Sequence, residues 1–169
     1  NHESNADGGF IKKIGKLIVI DGADGSGKKT QTDILVRKLK KLGFKVEVAD
    51  FPRYGERSAH LVEDYLNGKF GDAMSVNPYV ASIFYACDRY AASFEIKKWL
   101  QQGKIVVSNR YVSANMGHQC GKLKTKKEKD QFLAWLDNLE FGIFGLPRPE
   151  KNIFLYVLPD VSQKLVEKK

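Results

Sequence analysis

The sequence predicts an α/β domain: a doubly wound parallel sheet with helices on both faces. Short Val/Ile-rich apolar runs alternate with helical patterns from Lys16 to Val157, and several helical stretches end at a glycine and pass at once into the next apolar run. Connections of that kind join parallel strands through crossover helices. A glycine-rich turn, Gly22 to Lys28, also sits between the first apolar run and the first helical pattern. In such folds ligands bind outside the carboxyl ends of the strands.

The strands are expected at Lys16–Asp21, Lys45–Asp50, Lys104–Asn109 and Ile153–Val157, short and apolar as strands covered on both faces tend to be. Helices are expected at Lys28–Leu42 before Gly43, Ser58–Leu66 before Gly68, Pro78–Gln102 before Gly103, and Lys126–Leu139. Nothing repeats internally and no linker divides the chain. One domain over residues 16–169 is therefore expected, preceded by a polar, glycine-containing loose tail at 1–15.

Composition narrows the function classes. A hydrophobic content of 43% supports a real core, and no apolar run approaches the length of a membrane span. Cys87 and Cys120 lack metal-ligand spacing and secretory context, so a reducing cytoplasmic compartment is expected. The formal net charge of +8 is spread in helix-face groups such as Arg37, Lys38, Lys40 and Lys41, without interleaved aromatics. That pattern favours solvated faces and a polyanionic small substrate over nucleic acid.

The turn Gly22-Ala23-Asp24-Gly25-Ser26-Gly27-Lys28 reads as a P-loop. Its glycines let successive backbone N–H groups turn toward one anion, the following helix N-terminus adds unpaired donors, and Lys28 reaches the terminal phosphates of a nucleoside triphosphate. The bland alternative, a tight turn chosen only for positive φ, does not explain the strand before, the lysine at the end and the helix after. The position that normally carries a Mg²⁺-binding hydroxyl is Lys29, with Thr30 one step later. A second ammonium there either adds positive charge for the phosphoryl group or points to solvent.

Two further segments open onto the same sheet edge: Asp50-Phe51-Pro52-Arg53-Tyr54 after the second strand and Ser108-Asn109-Arg110-Tyr111 at the end of the third. An arginine there can hold a phosphate bidentately. In the long helix Tyr85 and Arg89 share a face at i, i+4. They either stack on and hydrogen-bond a planar base, or are a core ring and a surface ion pair with a carboxylate such as Asp88.

The P-loop Asp21 to Thr30, Phe51-Pro52-Arg53-Tyr54-Gly55, Tyr85-Ala86-Cys87-Asp88-Arg89 and Asn109-Arg110-Tyr111-Val112-Ser113-Ala114-Asn115 occur in an order and at gaps that resemble the thymidylate kinases. The resemblance covers about Lys16 to Val166. It implies a P-loop NTPase-like fold, transfer of a phosphoryl group from ATP to dTMP, Mg²⁺ as cofactor and a homodimer, with neither nucleic acid nor membrane as partner. It further implies that Gly22, Ala23, Asp24, Gly25, Ser26, Gly27, Lys28, Lys29 and Thr30 hold the ATP phosphates, and that Lys28, Asp24 and Arg110 are catalytic. Asp24 would also help place the acceptor phosphate and the metal. On the acceptor side, Arg53 and Tyr54 would hold the dTMP phosphate, Tyr85 would stack on thymine and Arg89 would contact its exocyclic oxygen. Arg110 would touch both the acceptor phosphate and the base side, and Asn115 the base edge. His118 falls where members often carry a tyrosine that crowds the sugar 2′ position.

Departures from the family pattern are Lys29, Asn109 in place of an aspartate, and a chain that stops at Lys169 where members continue into a lid, a strand and a helix. Two rival functions stand beside the main one. The chain could phosphorylate another nucleoside monophosphate or a deoxynucleoside, or it could be a nucleotide-binding protein with weakened catalysis.

Overall fold

The structure, a computed structural model, describes residues 14–157. Strand β1 (Lys16–Gly22) lies inside the sheet, with Leu17, Val19 and Ile20 buried on alternate faces, so helices are needed on both sides of it. Its glycine-rich exit leads into α1 (Lys28–Lys41), whose last turn carries Lys38, Lys40 and Lys41 against the negative end of the helix. Strand β2 (Val46–Asp50) follows, then a 3₁₀ turn Arg57–Ala59 that runs into α2 (His60–Leu66). The 24-residue helix α3 (Pro78–Gln101) starts where Asn77 accepts a hydrogen bond from the Tyr79 N–H and Pro78 takes the first position. Strand β3 (Ile105–Asn109) leads into α4 (Val112–Cys120). Helix α5 (Lys126–Asp137) is opened by a capping box, Thr125 and Glu128 each satisfying the other's backbone N–H. A π-helical turn, Asn138–Ile143, extends it toward β4 (Lys151–Leu155).

The four strands are parallel in the order β2-β3-β1-β4. The chain leaves β1 toward β2 on one side, and leaves β3 toward β4 on the other. The carboxyl ends of β1 and β3 therefore flank the point where the winding reverses, which is where such a sheet forms its ligand crevice. The larger core cluster joins Leu17, Val19 and Val106 of the sheet to Ala92 and Ile96 of α3, Val112 of α4, and Phe132 and Leu136 of α5. The opposite face packs Ile20, Val46 and Val107 against Leu35, Val36 and Leu39 of α1.

The expected fold class and strand positions hold to within two residues. Three local expectations are corrected. Strand β4 is not covered on both faces among the described residues, since Phe154 is 67% exposed and Ile153 41%; only its last residue, Leu155, packs against the α1 side of the core. Helix α4 carries little signal in the sequence, because Tyr111 offers no side-chain cap and Gly117 interrupts the pattern. The helix expected to end at Leu139 ends at Asp137 and widens into the π turn. The tail expected at 1–15 lies outside the described residues except for Ile14 and Gly15, and the Gly15 N–H donates to the Leu100 carbonyl at 2.8 Å.

Candidate active site

The P-loop is shaped by two different uses of glycine. At Gly22 (φ 149°) a Cβ would stand 2.6 Å from the Leu155 carbonyl oxygen and 2.8 Å from Ser26 Oγ, so the position needs the absence of a side chain. Gly27 (φ 80°) faces open space and is required for its left-handed backbone, which turns the chain into α1 without a side-chain cap. The first N–H groups of α1 thus face the cleft. Lys28 is 8% exposed, and its ammonium donates to the Gly22 and Ala23 carbonyls at 2.8 and 2.6 Å, drawn across the mouth of the loop. Asp24 stands outside the loop, 3.9 Å from Lys28 Nζ and ion-paired with Arg110 Nη2. Lys29 is exposed and lies 3.8 Å from Asp33, yet it also lines the cleft, so it adds charge there from the solvent side.

The strand ends are tied together past the sheet proper. The Phe51 N–H donates to the Asn109 carbonyl at 3.1 Å and the Arg110 N–H to the Ile20 carbonyl at 2.9 Å. Arg110 has φ 61°, a left-handed conformation that costs a non-glycine residue about 1–3 kcal/mol, and Ser108 Oγ donates to its carbonyl at 2.7 Å. Asn109 Nδ2 donates to Asp50 Oδ1 at 2.8 Å, leaving Asn109 Oδ1 buried and without a partner among the described residues. Burial raises the Asp50 carboxyl above its ordinary range, opposed by the Asn109 hydrogen bond and by the charges of Lys29, Arg110 and Lys28.

Arg53 is held from behind. Its Nε donates to Asp88 Oδ1 at 2.9 Å, its Nη2 to Ser58 Oγ at 2.7 Å and the Asp88 carbonyl at 3.1 Å, and its backbone N–H to Asp88 Oδ2 at 2.9 Å. Asp88 is therefore not the partner of Arg89, and Arg89 is not a surface residue. Arg89 is 2% exposed and forms a bidentate pair with Glu140, itself 0% exposed. Sequence separations of 35 and 51 residues kept both pairings out of reach of the sequence.

Two cavities meet at this edge. The larger is lined by Asp24, Gly25, Gly27, Lys28, Lys29 and Thr30 of the P-loop, with Asp50, Tyr54 and Asn109 opposite. The smaller is lined by Tyr85, Arg89, Tyr111, Ala114, Asn115 and His118. Phe51, Pro52 and Arg110 line both, so they form the shared wall. Of the P-loop residues, Gly22 and Ser26 are buried beneath the loop, Ala23 is exposed, and none of the three lines either cavity; nor does Arg53. Tyr85 meets Tyr65 edge-on at 6.1 Å, and burial, then Tyr65 and Tyr54, push its phenol up to about 12. Asn115 is 3% exposed with both amide atoms unpartnered among the described residues, which presents a donor and an acceptor side by side. His118 lies exposed at the rim, one turn beyond Asn115.

Residues 20–169 match the family model described as thymidylate kinase. The chain belongs to the thymidylate kinase family. It is 31% identical over 147 residues to the thymidylate kinase of Mycobacterium tuberculosis, covering 86% of this chain and 68% of that one. It is 32% identical over 152 residues to that of Plasmodium falciparum, covering 90% and 66%. The structure of a thymidylate kinase from Candida albicans superimposes with a TM-score of 0.70 at 26% identity, covering 89% of this chain and 67% of that one. The chain thus spans about two thirds of the length of these relatives. Among the described residues no helix is long and apolar enough to cross a membrane. In this thymidylate kinase family member the expected site residues gather toward one edge of the sheet; the sequence named Asp50 and Asp88 without their contacts to Asn109 and Arg53, and did not point to Glu140.

Proposed function

We propose that this chain transfers the γ-phosphoryl group of ATP to dTMP, giving ADP and dTDP. The observation that supports this best is the shared wall. A pocket with a ring, an amide and a guanidinium abuts a phosphate cradle, and Arg110 borders both. Thymine would lie against Tyr85 and the buried Asn115, whose amide offers the donor and acceptor that the adjoining carbonyl and N–H of that base need. The dTMP phosphate then points toward Arg110 and the segment Phe51 to Tyr54, and ATP lies along the P-loop with its terminal phosphate at Lys28.

Transfer follows from positioning. An oxygen of the dTMP phosphate attacks the γ-phosphorus, the bond from that phosphorus to the bridging oxygen breaks, and the electron pair leaves on ADP. The protein supplies fixed positive charge and alignment and no covalent nucleophile. Lys28 exchanges its loop carbonyls for phosphate oxygens, the α1 N–H groups hold the phosphates, and Arg110 balances charge between donor and acceptor. Asp24 holds Arg110 in place through their ion pair. Arg53, braced by Asp88, supports the acceptor side.

Hard oxygen donors at the cradle suit Mg²⁺: the carboxylates of Asp24 and Asp50 and the unpartnered Asn109 Oδ1. No group of three or more His, Cys, Asp or Glu that could hold a metal exists among the described residues. Mg²⁺ would accordingly rest mainly on substrate phosphates, with Asp24 and Asp50 completing its shell. Bound there, the ion would neutralise charge on the triphosphate.

The test is to mix protein, Mg-ATP and dTMP and to follow ADP and dTDP together. Equal formation of both is expected; ADP without dTDP, or neither, would refute the assignment.

A further inference from the structure

We propose that Glu140 is a positioning residue for base selection: it holds Arg89 so that the smaller cavity accepts a base with a carbonyl oxygen at the contacted edge and rejects one with an amino group there. This rests on the reading of that cavity as the thymine site.

Glu140 arrives from outside the helices that line the cavity. It sits in the π-helical turn, pinned by hydrogen bonds from the Phe144 N–H to the Leu139 carbonyl at 2.8 Å and from the Leu146 N–H to the Glu140 carbonyl at 2.9 Å. A π turn alters the direction in which a side chain leaves the helix, and such turns recur where a particular orientation is needed. Here the carboxylate projects into the core and takes one edge of the Arg89 fork, Oε2 accepting from Nε at 2.6 Å and Oε1 from Nη2.

That pairing has two consequences. It neutralises a buried guanidinium, so the cavity meets a neutral base edge instead of drawing in the ligand's phosphate. It also commits two of three nitrogens, leaving Nη1 without a hydrogen bond to a described residue on a side chain that lines the cavity. A guanidinium donates and cannot accept, so a fixed Nη1 favours a carbonyl over an amino group. Asn115 cannot make that distinction alone, since its amide can turn over to offer either donor or acceptor. Arg110 also lines the cavity but is turned toward the cradle by its ion pair with Asp24, so discrimination falls to Arg89, and Arg89 is fixed by Glu140.

The test compares equilibrium binding of dTMP and dCMP by calorimetry in the wild type, Glu140→Gln and Glu140→Asp, with folding checked by circular dichroism. The ratio of the two dissociation constants is the readout, because loss of folded protein changes it little. Glu140→Gln is expected to reduce the dTMP preference by about tenfold, the weight of one charged hydrogen bond. Glu140→Asp, which keeps the charge one methylene short, is expected to retain part of it. Should Glu140→Gln not fold, a reduced preference in Glu140→Asp supports the proposal and an unchanged one overturns it. Equal weakening of dTMP and dCMP would also overturn it, leaving Glu140 a purely structural role. A wild type without any dTMP preference would instead refute the thymine reading itself.

Discussion

Asp88→Asn tests the brace behind Arg53. Asp88 is 1% exposed and accepts from the Arg53 backbone N–H at 2.9 Å, from Arg53 Nε at 2.9 Å and from Ser58 Oγ at 2.8 Å. An asparagine keeps one acceptor oxygen and turns an NH₂ group toward at least one of these donors. Breaking a buried ion pair by removing one partner costs about 3–5 kcal/mol. Because the Arg53 side chain is 26% exposed and can take up water, the lower end, about 3 kcal/mol, is expected. For a chain of this size that corresponds to a fall of about 6–12 °C in Tm. Arg53 then loses its aim, so KM for dTMP should rise about tenfold with a smaller change in kcat. Urea denaturation and steady-state kinetics check the two effects separately. Stability within about 0.5 kcal/mol of wild type together with an unchanged KM for dTMP would refute the argument.

Lys28→Ala should lower kcat by the equivalent of about 2–4 kcal/mol, since it removes charge from the phosphoryl group in transfer; single-turnover measurement with dTMP checks it. Asn109→Asp would set a second carboxylate against Asp50, 2.8 Å from the present amide nitrogen, and should lower the Mg²⁺ concentration for half-maximal activity while destabilising the metal-free protein. Thermal melts with and without Mg²⁺ read both effects. The Tyr85 phenol, raised in the folded protein from 10.0 to about 12, favours folding while neutral, so its contribution is complete below pH 10.0 and is lost as pH rises through about 12. Urea stability should decline over that window, and Tyr85→Phe should flatten part of the decline.

The legible parts of this protein are those whose physics is local. The P-loop could be read because glycine spacing, the preceding strand and the terminal lysine lie within one short segment. Arg110 and the Phe51 to Tyr54 segment followed from strand ends, which a parallel sheet gathers at one edge. Helix α5 was expected from its local pattern over Lys126–Leu139, and the Thr125–Glu128 capping box is what starts it there. The second layer of the site was not legible. Asp88 lies beside Arg89 in sequence but points to Arg53, while Arg89 finds Glu140 across the core. Adjacent helical residues point in different directions, and which long-range carboxylate each meets depends on how α3 packs against the π turn. Asn109 stands out in the sequence only as a replacement for the family's aspartate; its partner Asp50 follows from the register that sets β2 beside β3.

The most direct measurement is kcat/KM for dTMP, dUMP, dCMP, AMP and GMP with Mg-ATP under identical conditions. The structure predicts dTMP first, with dUMP behind by about 10–200-fold for the missing methyl group and the purine nucleotides well below. Equal or better turnover of AMP, GMP or dCMP would contradict the assignment of the cavity around Tyr85, Arg89 and Asn115 to thymine.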